Sequence, residues 1–161
     1  MPTPVRPVPK TTKAPTIAIV DDELDILLAL SDSLHGAIPG ARIFPSESAA
    51  EALEFMQDHH VDLVITDWRM PGLSGTELGD ILNRSKRPPP IILMTGHPSA
   101  GLTYRAVHDH KFAAIFSKPF EPDEMAAKVL GLLADSMGYD PSAQAAPEPR
   151  QAAGGRRLGR A

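Results

Sequence analysis

Leu63-Val64-Ile65-Thr66-Asp67, followed by Trp68-Arg69-Met70-Pro71-Gly72, is an unbroken apolar run that ends in a carboxylate and enters a turn. A run without alternating polar positions suits a strand buried on both faces, as in a parallel sheet covered by helices. Three more runs follow the same plan. Thr16-Ile17-Ala18-Ile19-Val20 enters Asp21-Asp22, Ile91-Ile92-Leu93-Met94 enters Thr95, and Ala114-Ile115-Phe116-Ser117 enters Lys118-Pro119. In an open parallel sheet the carboxyl ends of the strands gather along one edge, where ligands bind. The four runs thus predict one small site holding three carboxylates, a hydroxyl and an ammonium. Such a set binds a divalent cation and handles a phosphoryl group.

Helical patterns fill the intervals. Residues 23–35 place Leu24, Ile26, Leu27, Leu28, Leu30 and Leu34 at helical spacing, with Gly36 and Pro39-Gly40 as the stop. A short strand is expected at 42–44. A helix at 48–59 has Ala49, Ala52, Leu53 and Met56 on one face, and one at 75–85 carries Leu78, Ile81 and Leu82. A weaker helix is expected at 99–110. The last, at 122–136, has proline early, where its missing N–H costs little, and turns Met125, Val129, Leu132 and Leu133 inward. Five strand–helix units with right-handed crossovers put helices on both faces. The expected class is α/β, a doubly wound five-stranded parallel sheet, with the common order 2-1-3-4-5. Its switch point sets Asp21, Asp22 and Asp67 around one crevice.

Composition narrows the function. The chain has 161 residues, 42% hydrophobic and only 5% aromatic, so its core is aliphatic. Without cysteine it can form neither a disulfide nor a thiolate metal site. No apolar stretch approaches a membrane span, and residues 1–15 have no apolar h-region, so a cytoplasmic protein is expected. Those 15 residues hold five prolines and read as a disordered basic tail. Residues 139–161, rich in Ala, Pro, Gly and Arg, read as a second disordered tail, leaving a folded domain at 16–138. The cationic tails leave the central body a net charge of −9 within an overall −4, a poor match for nucleic acid.

The strand-end residues carry the chemistry. Carboxylates a few ångström apart repel unless a cation neutralises them, and hard oxygen ligands with open positions suit Mg²⁺. Asp67 can serve as a nucleophile toward phosphorus and form an acyl phosphate. Thr95 offers a hydroxyl and Lys118 an ammonium to phosphoryl oxygens. His35, His59, His60, His108 and His110 form no ligand pair on an assured face; the first three lie near helix ends, where a cation is favourable. Trp68 is expected to be partly exposed beside the site.

The runs Ile19-Val20-Asp21-Asp22-Glu23, Asp67-Trp68-Arg69-Met70-Pro71-Gly72, Met94-Thr95-Gly96-His97 and Lys118-Pro119-Phe120 resemble the signatures of the receiver domain of bacterial two-component response regulators. The resemblance covers about residues 16–136 and implies a flavodoxin-like receiver fold. By position it implies that Asp67 is phosphorylated by a sensor histidine kinase or histidine phosphotransfer protein. It implies Asp22 and Asp67 as direct Mg²⁺ ligands, Asp21 as a ligand acting largely through water, and the backbone carbonyl of Arg69 as a further ligand. Thr95 and Lys118 match the residues that contact the phosphoryl group. Output is then expected through a downstream protein target, with a homodimer through the face of the fourth helix, fifth strand and fifth helix. One position departs: Ile115 stands where receivers carry Tyr or Phe, and Phe116 comes one residue later. Arg69 and His97 flank the site and bear on access of the hydrolytic water.

The 25 residues after Ser136 are too few and too polar for a helix-turn-helix module, so a stand-alone phosphoacceptor with no enzymatic activity beyond its own phosphorylation and dephosphorylation is expected. The alternatives are a phosphorylation-independent adaptor, kept open by Ile115, or a regulator that has lost its DNA-binding output domain. A dehalogenase-type phosphatase wants an acid two residues after its nucleophile, where this chain has Arg69. A nucleotide or flavin binder wants a phosphate loop after the first strand, where Asp21-Asp22-Glu23 would repel phosphate.

Overall fold

Hydrophobic alternation within each strand splits the interior into two cores, one on either side of a single sheet. The computed structural model describes residues 8–145. The elements run β1 (Thr16–Val20), α1 (Leu24–Ala37), β2 (Arg42–Ser46), α2 (Ala49–Asp58), β3 (Leu63–Asp67), α3 (Gly75–Leu82), β4 (Ile91–Thr95), α4 (Ala100–His108), β5 (Ala114–Ser117) and α5 (Pro122–Met137). A 3₁₀ turn, Pro141–Ala145, follows. All five strands are parallel, in the order β2-β1-β3-β4-β5. The expected fold class and strand order are therefore those observed.

Every residue of β1, β3 and β4 is buried, as the lack of polar alternation required. Ile17, Ile19, Ile65, Ile92 and Met94 point to the side covered by α1 and α5, where Leu30, Leu34, Met125, Val129 and Leu133 meet them. Ala18, Val20, Val64 and Leu93 point the other way, against Ala49, Ala52, Leu78 and Phe112. Each fully buried Leu or Ile contributes about 1.5–3 kcal/mol over an exposed one.

Local signals set most boundaries. Ser48, Ser74 and Ser99 cap α2, α3 and α4 by accepting from Glu51, Glu77 and Leu102 N–H, and Glu77 closes a capping box on Ser74. Two details differ from the expectation. Helix α1 runs through Gly36 to Ala37, two residues further, with the fully buried Ile38 as its C-cap, and the reversal falls at Gly40 with φ +80°. Leu24 and Leu28, read as part of the apolar face, are 56% and 55% exposed: α1 bears more leucines than the sheet can cover.

The domain limits also differ. Lys10 and Thr11 on one side and Tyr139 and Asp140 on the other, expected as parts of disordered tails, are paired with each other. Thr11 bridges Tyr139; its N–H donates to the Gly138 carbonyl at 2.8 Å and its carbonyl accepts from Asp140 N–H at 3.2 Å. Lys10 Nζ lies 2.9 Å from Asp140 Oδ2. Tyr139 is 2% exposed and belongs to the α1/α5 core. Composition could not reveal this, since it depends on one buried aromatic and a few backbone bonds between segments far apart in sequence. The tail expectations for 1–7 and 146–161 lie outside the described residues.

Gly138 is the pivot of this clasp. It adopts φ +71°, and a Cβ there would collide with the Pro9 carbonyl. Gly138→Ala is expected to lower stability by about 1–2 kcal/mol. Urea unfolding checks this: the midpoint falls with the slope unchanged. An unmoved midpoint would show that the clasp does not form.

Candidate functional site

Backbone bonds carry the sheet's order past its carboxyl edge and thereby aim the side chains there. Asp21 N–H donates to the Ser46 carbonyl at 3.1 Å, Trp68 N–H to Met94 at 2.9 Å, and Lys118 N–H to Thr95 at 2.7 Å. Gly75, opening α3, donates to the Trp68 carbonyl at 2.8 Å, and a Cβ on it would meet the Asp67 carbonyl. The Lys118–Pro119 peptide is cis.

The predicted acids converge. Carboxylate oxygens of Asp21, Asp22 and Asp67 all lie within 4.8 Å of one another. Asp21 is fully buried, Asp67 nearly so, and Asp22 exposed. Asp21 Oδ1 accepts from Glu23 N–H at 2.9 Å. Glu23, not Asp21 or Asp22, is the N-cap residue of α1. The Lys118 ammonium stands 2.7 Å from Asp21 Oδ2 and 3.3 Å from both Asp67 Oδ1 and Glu23 Oε1. Thr95 is 1% exposed and its Oγ1 accepts from His97 N–H at 3.1 Å.

Asp67, Thr95 and Lys118 open on one cleft of about 210 Å³, with Arg69, His97 and half-buried Trp68 around it. The Arg69 guanidinium carbon lies 4.7 Å from the Trp68 ring centroid. That stacking holds the cation beside the cleft, at a position where an acid would suit phosphatase chemistry. A wider depression of about 380 Å³, lined by Met56, His60, Leu82 and Arg87, lies at the opposite edge of the sheet. Among the described residues, the three aspartates form the one acidic or histidine cluster compact enough to hold a metal, so chemistry rather than size selects the smaller cleft.

The electrostatics are unbalanced. Burial pushes the Asp21 carboxyl up, and the hydrogen bond from Lys118 only partly offsets it. Burial pushes Asp67 up as well, and the charge of Asp21 adds to the effect. For Lys118, burial works against the ammonium, but the Asp21 hydrogen bond and the charges of Asp21 and Asp67 outweigh it and raise its pKa. One ammonium cannot neutralise three carboxylates. Clustered, partly uncompensated oxygen donors fit a hard divalent cation such as Mg²⁺.

Sequence reasoning assigned no role to two residues here. Glu23 contributes a carboxylate to Lys118, and Gly75 leaves room for the Asp67 carbonyl. The signal for Glu23 was its place at a helix start, where a shorter polar residue would cap better. Nothing local distinguished Gly75. At β5 the period of two puts Ile115 on the α2/α3/α4 side and Phe116 on the α1/α5 side, in edge contact with Phe120 at 5.8 Å between centroids. Phe116 therefore cannot stand in for an aromatic at position 115.

Sheet order, helix placement and edge site together are those of CheY-like receivers. The response regulator receiver domain model matches residues 17–130, and the chain belongs to that family. It is 33% identical over 121 residues to the transcriptional regulatory protein FixJ of Bradyrhizobium diazoefficiens, covering 74% of this chain and 56% of FixJ. It is 31% identical over 112 residues to the C4-dicarboxylate transport regulator DctD of Rhizobium meliloti, covering 70% of this chain and 24% of DctD. The chain thus spans from about a quarter to a little over half the length of these relatives. Among solved structures, a receiver domain of an HD domain-containing protein from Pseudomonas fluorescens matches with TM-score 0.70 and 25% identity, over 78% of this chain and 99% of that one. The chemotaxis response regulator CheY4 of Vibrio cholerae shares the fold, with TM-score 0.68 at 23% identity over 75% of this chain and all of its own. Phosphorylation on aspartate and Mg²⁺ binding in an acidic pocket are general in this family.

The raised carboxyl values set the sign of a pH response. Below the ordinary carboxylate value of 3.8 both forms of the chain are protonated, and no penalty arises. As pH rises past it, the unfolded chain ionises first, so the metal-free fold loses stability through that window. The Lys118 contribution persists to its ordinary 10.5 and is lost above, through its raised value. Mg²⁺ is therefore expected to raise the melting temperature more at neutral pH than near 3.8. Asp67→Asn is expected to raise the metal-free melting temperature by about 2–4 °C, the response to roughly 1 kcal/mol in a domain of this size, and to shrink the Mg²⁺ shift. Differential scanning calorimetry at several pH values checks both; a pH-independent Mg²⁺ shift would overturn the assignment.

Proposed function

We propose that this chain is a phosphoacceptor in a two-component phosphorelay and that Asp67 takes the phosphoryl group from a histidine kinase or phosphotransfer protein. The observation that carries this is the setting of Asp67. Its buried carboxylate ends a central strand, shares a cleft with Thr95 and Lys118, and lies within 4.8 Å of two more acids.

An Asp67 carboxylate oxygen attacks phosphorus as the P–N bond to the donor imidazole, protonated on its other ring nitrogen, breaks, leaving an acyl phosphate on Asp67 and a neutral histidine on the donor. Asp21, Asp22, Asp67 and the Arg69 backbone carbonyl would hold Mg²⁺. When bound, the cation neutralises charge between these acids and the incoming phosphoryl oxygens. The Lys118 ammonium, already 3.3 Å from Asp67, pairs with a phosphoryl oxygen. The Thr95 hydroxyl, which accepts from His97 N–H before transfer, donates to another.

Output runs through protein contact with a downstream target. Tyr104 and Val107 on α4 are exposed, and this apolar surface supports a homodimer through the α4-β5-α5 face. The acidic body argues against direct nucleic-acid binding. No helix among the described residues is long and apolar enough to cross a membrane. A cytoplasmic location fits a kinase-delivered phosphoryl group, and no catalysis beyond the domain's own phosphorylation and dephosphorylation is proposed. Ile115 favours one other reading, a phosphorylation-independent adaptor, because it removes the aromatic that would follow Thr95.

Incubation with Mg²⁺ and acetyl phosphate is expected to add one phosphoryl mass to the wild type and none to Asp67→Asn. No Asp67-dependent gain, together with no response to beryllofluoride, would replace the phosphoacceptor reading with the adaptor. Ile115→Tyr is expected to increase phosphorylation-dependent binding to a cognate partner. Equal affinities of wild type and variant, with and without phosphate, would sink that expectation.

A further inference from the structure

Glu23 lies outside the acceptor, metal and sensor residues, yet its carboxylate reaches the same ammonium. Lys118 Nζ donates to Asp21 Oδ2 at 2.7 Å and to Glu23 Oε1 at 3.3 Å, with Asp67 Oδ1 also 3.3 Å away. An ammonium has three N–H donors, and these three carboxylates face it together. A phosphoryl group arriving on Asp67 must take one of those donors.

The three partners are unequal. Asp21 is fully buried and makes the shortest bond, so breaking it would leave a buried carboxylate uncompensated. Asp67 is the group being modified. Glu23 is exposed and makes a longer bond, so solvent readily takes over when the ammonium leaves.

The start of α1 supports a dedicated role. Helices α2, α3 and α4 each begin with a serine whose side chain caps the first turn. Helix α5 begins without a side-chain cap but has Pro122 in its first turn. Helix α1 has neither device: Glu23 occupies the N-cap, makes no capping bond, and sends its carboxylate across to Lys118.

We infer that Glu23 is a positioning residue that holds Lys118 toward α1 in the unphosphorylated state and competes with the phosphoryl group for the ammonium. It thereby limits how readily the site accepts phosphate. The inference rests on the reading of Asp67 as acceptor, and it makes contact, rather than charge at a distance, the agent.

Full-length wild type, Glu23→Gln and Glu23→Asp separate the cases. Glu23→Asp keeps the charge, but it is one methylene shorter and its carboxylate is drawn to the free N–H groups of the first turn of α1. At saturating Mg²⁺, both variants are expected to bind beryllofluoride about threefold tighter and to take phosphate from acetyl phosphate about threefold faster, as loss of an exposed ion pair allows. Trp68 fluorescence reads the first and intact mass the second. Mg²⁺ affinity of Glu23→Asp, titrated on the same fluorescence, stays at the wild-type value. In metal-free protein labelled with ¹⁵N-lysine, proton exchange at Lys118 Nζ is expected to be about twofold faster in both variants. A change in Glu23→Gln alone would overturn the inference in favour of general electrostatics, and unchanged lysine exchange would overturn it outright. Wild type that takes no phosphoryl group would instead remove the acceptor reading, while the exchange measurement still decides whether Glu23 holds the lysine.

Discussion

Two carboxylates buried side by side at the ends of β1 and β3, with one lysine between them, are the constraint on which the site depends. Asp21 and Asp67 are disfavoured as ions by burial, and Asp67 further by its neighbour. Such an arrangement persists only because the sheet has no alternative position for these residues. Each directly follows a fully buried strand residue, and ladder-like backbone bonds continue past both of them. Stability in the two cores holds in place an edge that would not assemble by itself. The imbalance is what makes the edge useful, because added positive charge relieves it.

The same alternation that builds the cores divides the readout. Successive residues of β5 face opposite sides of the sheet, so moving an aromatic by one position moves it into a different core. Ile115 packs on the α2/α3/α4 side, while Phe116 meets Phe120 and the α1/α5 core. Lys118, Pro119 and Phe120 border an apolar cavity of about 140 Å³ with Ile26, Ala29 and Leu30 of α1. The aromatic weight next to the lysine thus lies beside α1 and α5, on the same side as the clasp formed by Thr11, Gly138 and Tyr139.

Much of the fold was legible because its signals are local and redundant. The unbroken runs at 16–20, 63–67 and 91–95 could only be strands covered on both faces, and they are. Two of the expected helices start at the serines that cap them, Ser48 and Ser99, and a third starts at Gly75, next to its cap Ser74. The site was legible for the same reason: strand ends in a parallel sheet share an edge, which groups Asp21, Asp22, Asp67, Thr95 and Lys118 by their positions in the chain. What escaped has no local signature. The run of α1 through Gly36, the exposure of Leu24 and Leu28, and the pairing of Lys10 and Thr11 with Tyr139 and Asp140 each depend on what another segment leaves room for.

From the sequence alone came the parallel sheet, its helices and the residue types at its carboxyl edge, because hydrophobic period and strand-end position are properties of the chain read one window at a time. The tertiary structure alone decided that Lys118 is shared among Asp21, Glu23 and Asp67, that Gly75 makes room for the Asp67 carbonyl, and that Gly138 joins the two ends of the domain. Those facts join residues as far apart as 23 and 118 or 9 and 138, and a contact of that kind exists only once crossovers and packing have fixed the distances between strands and helices.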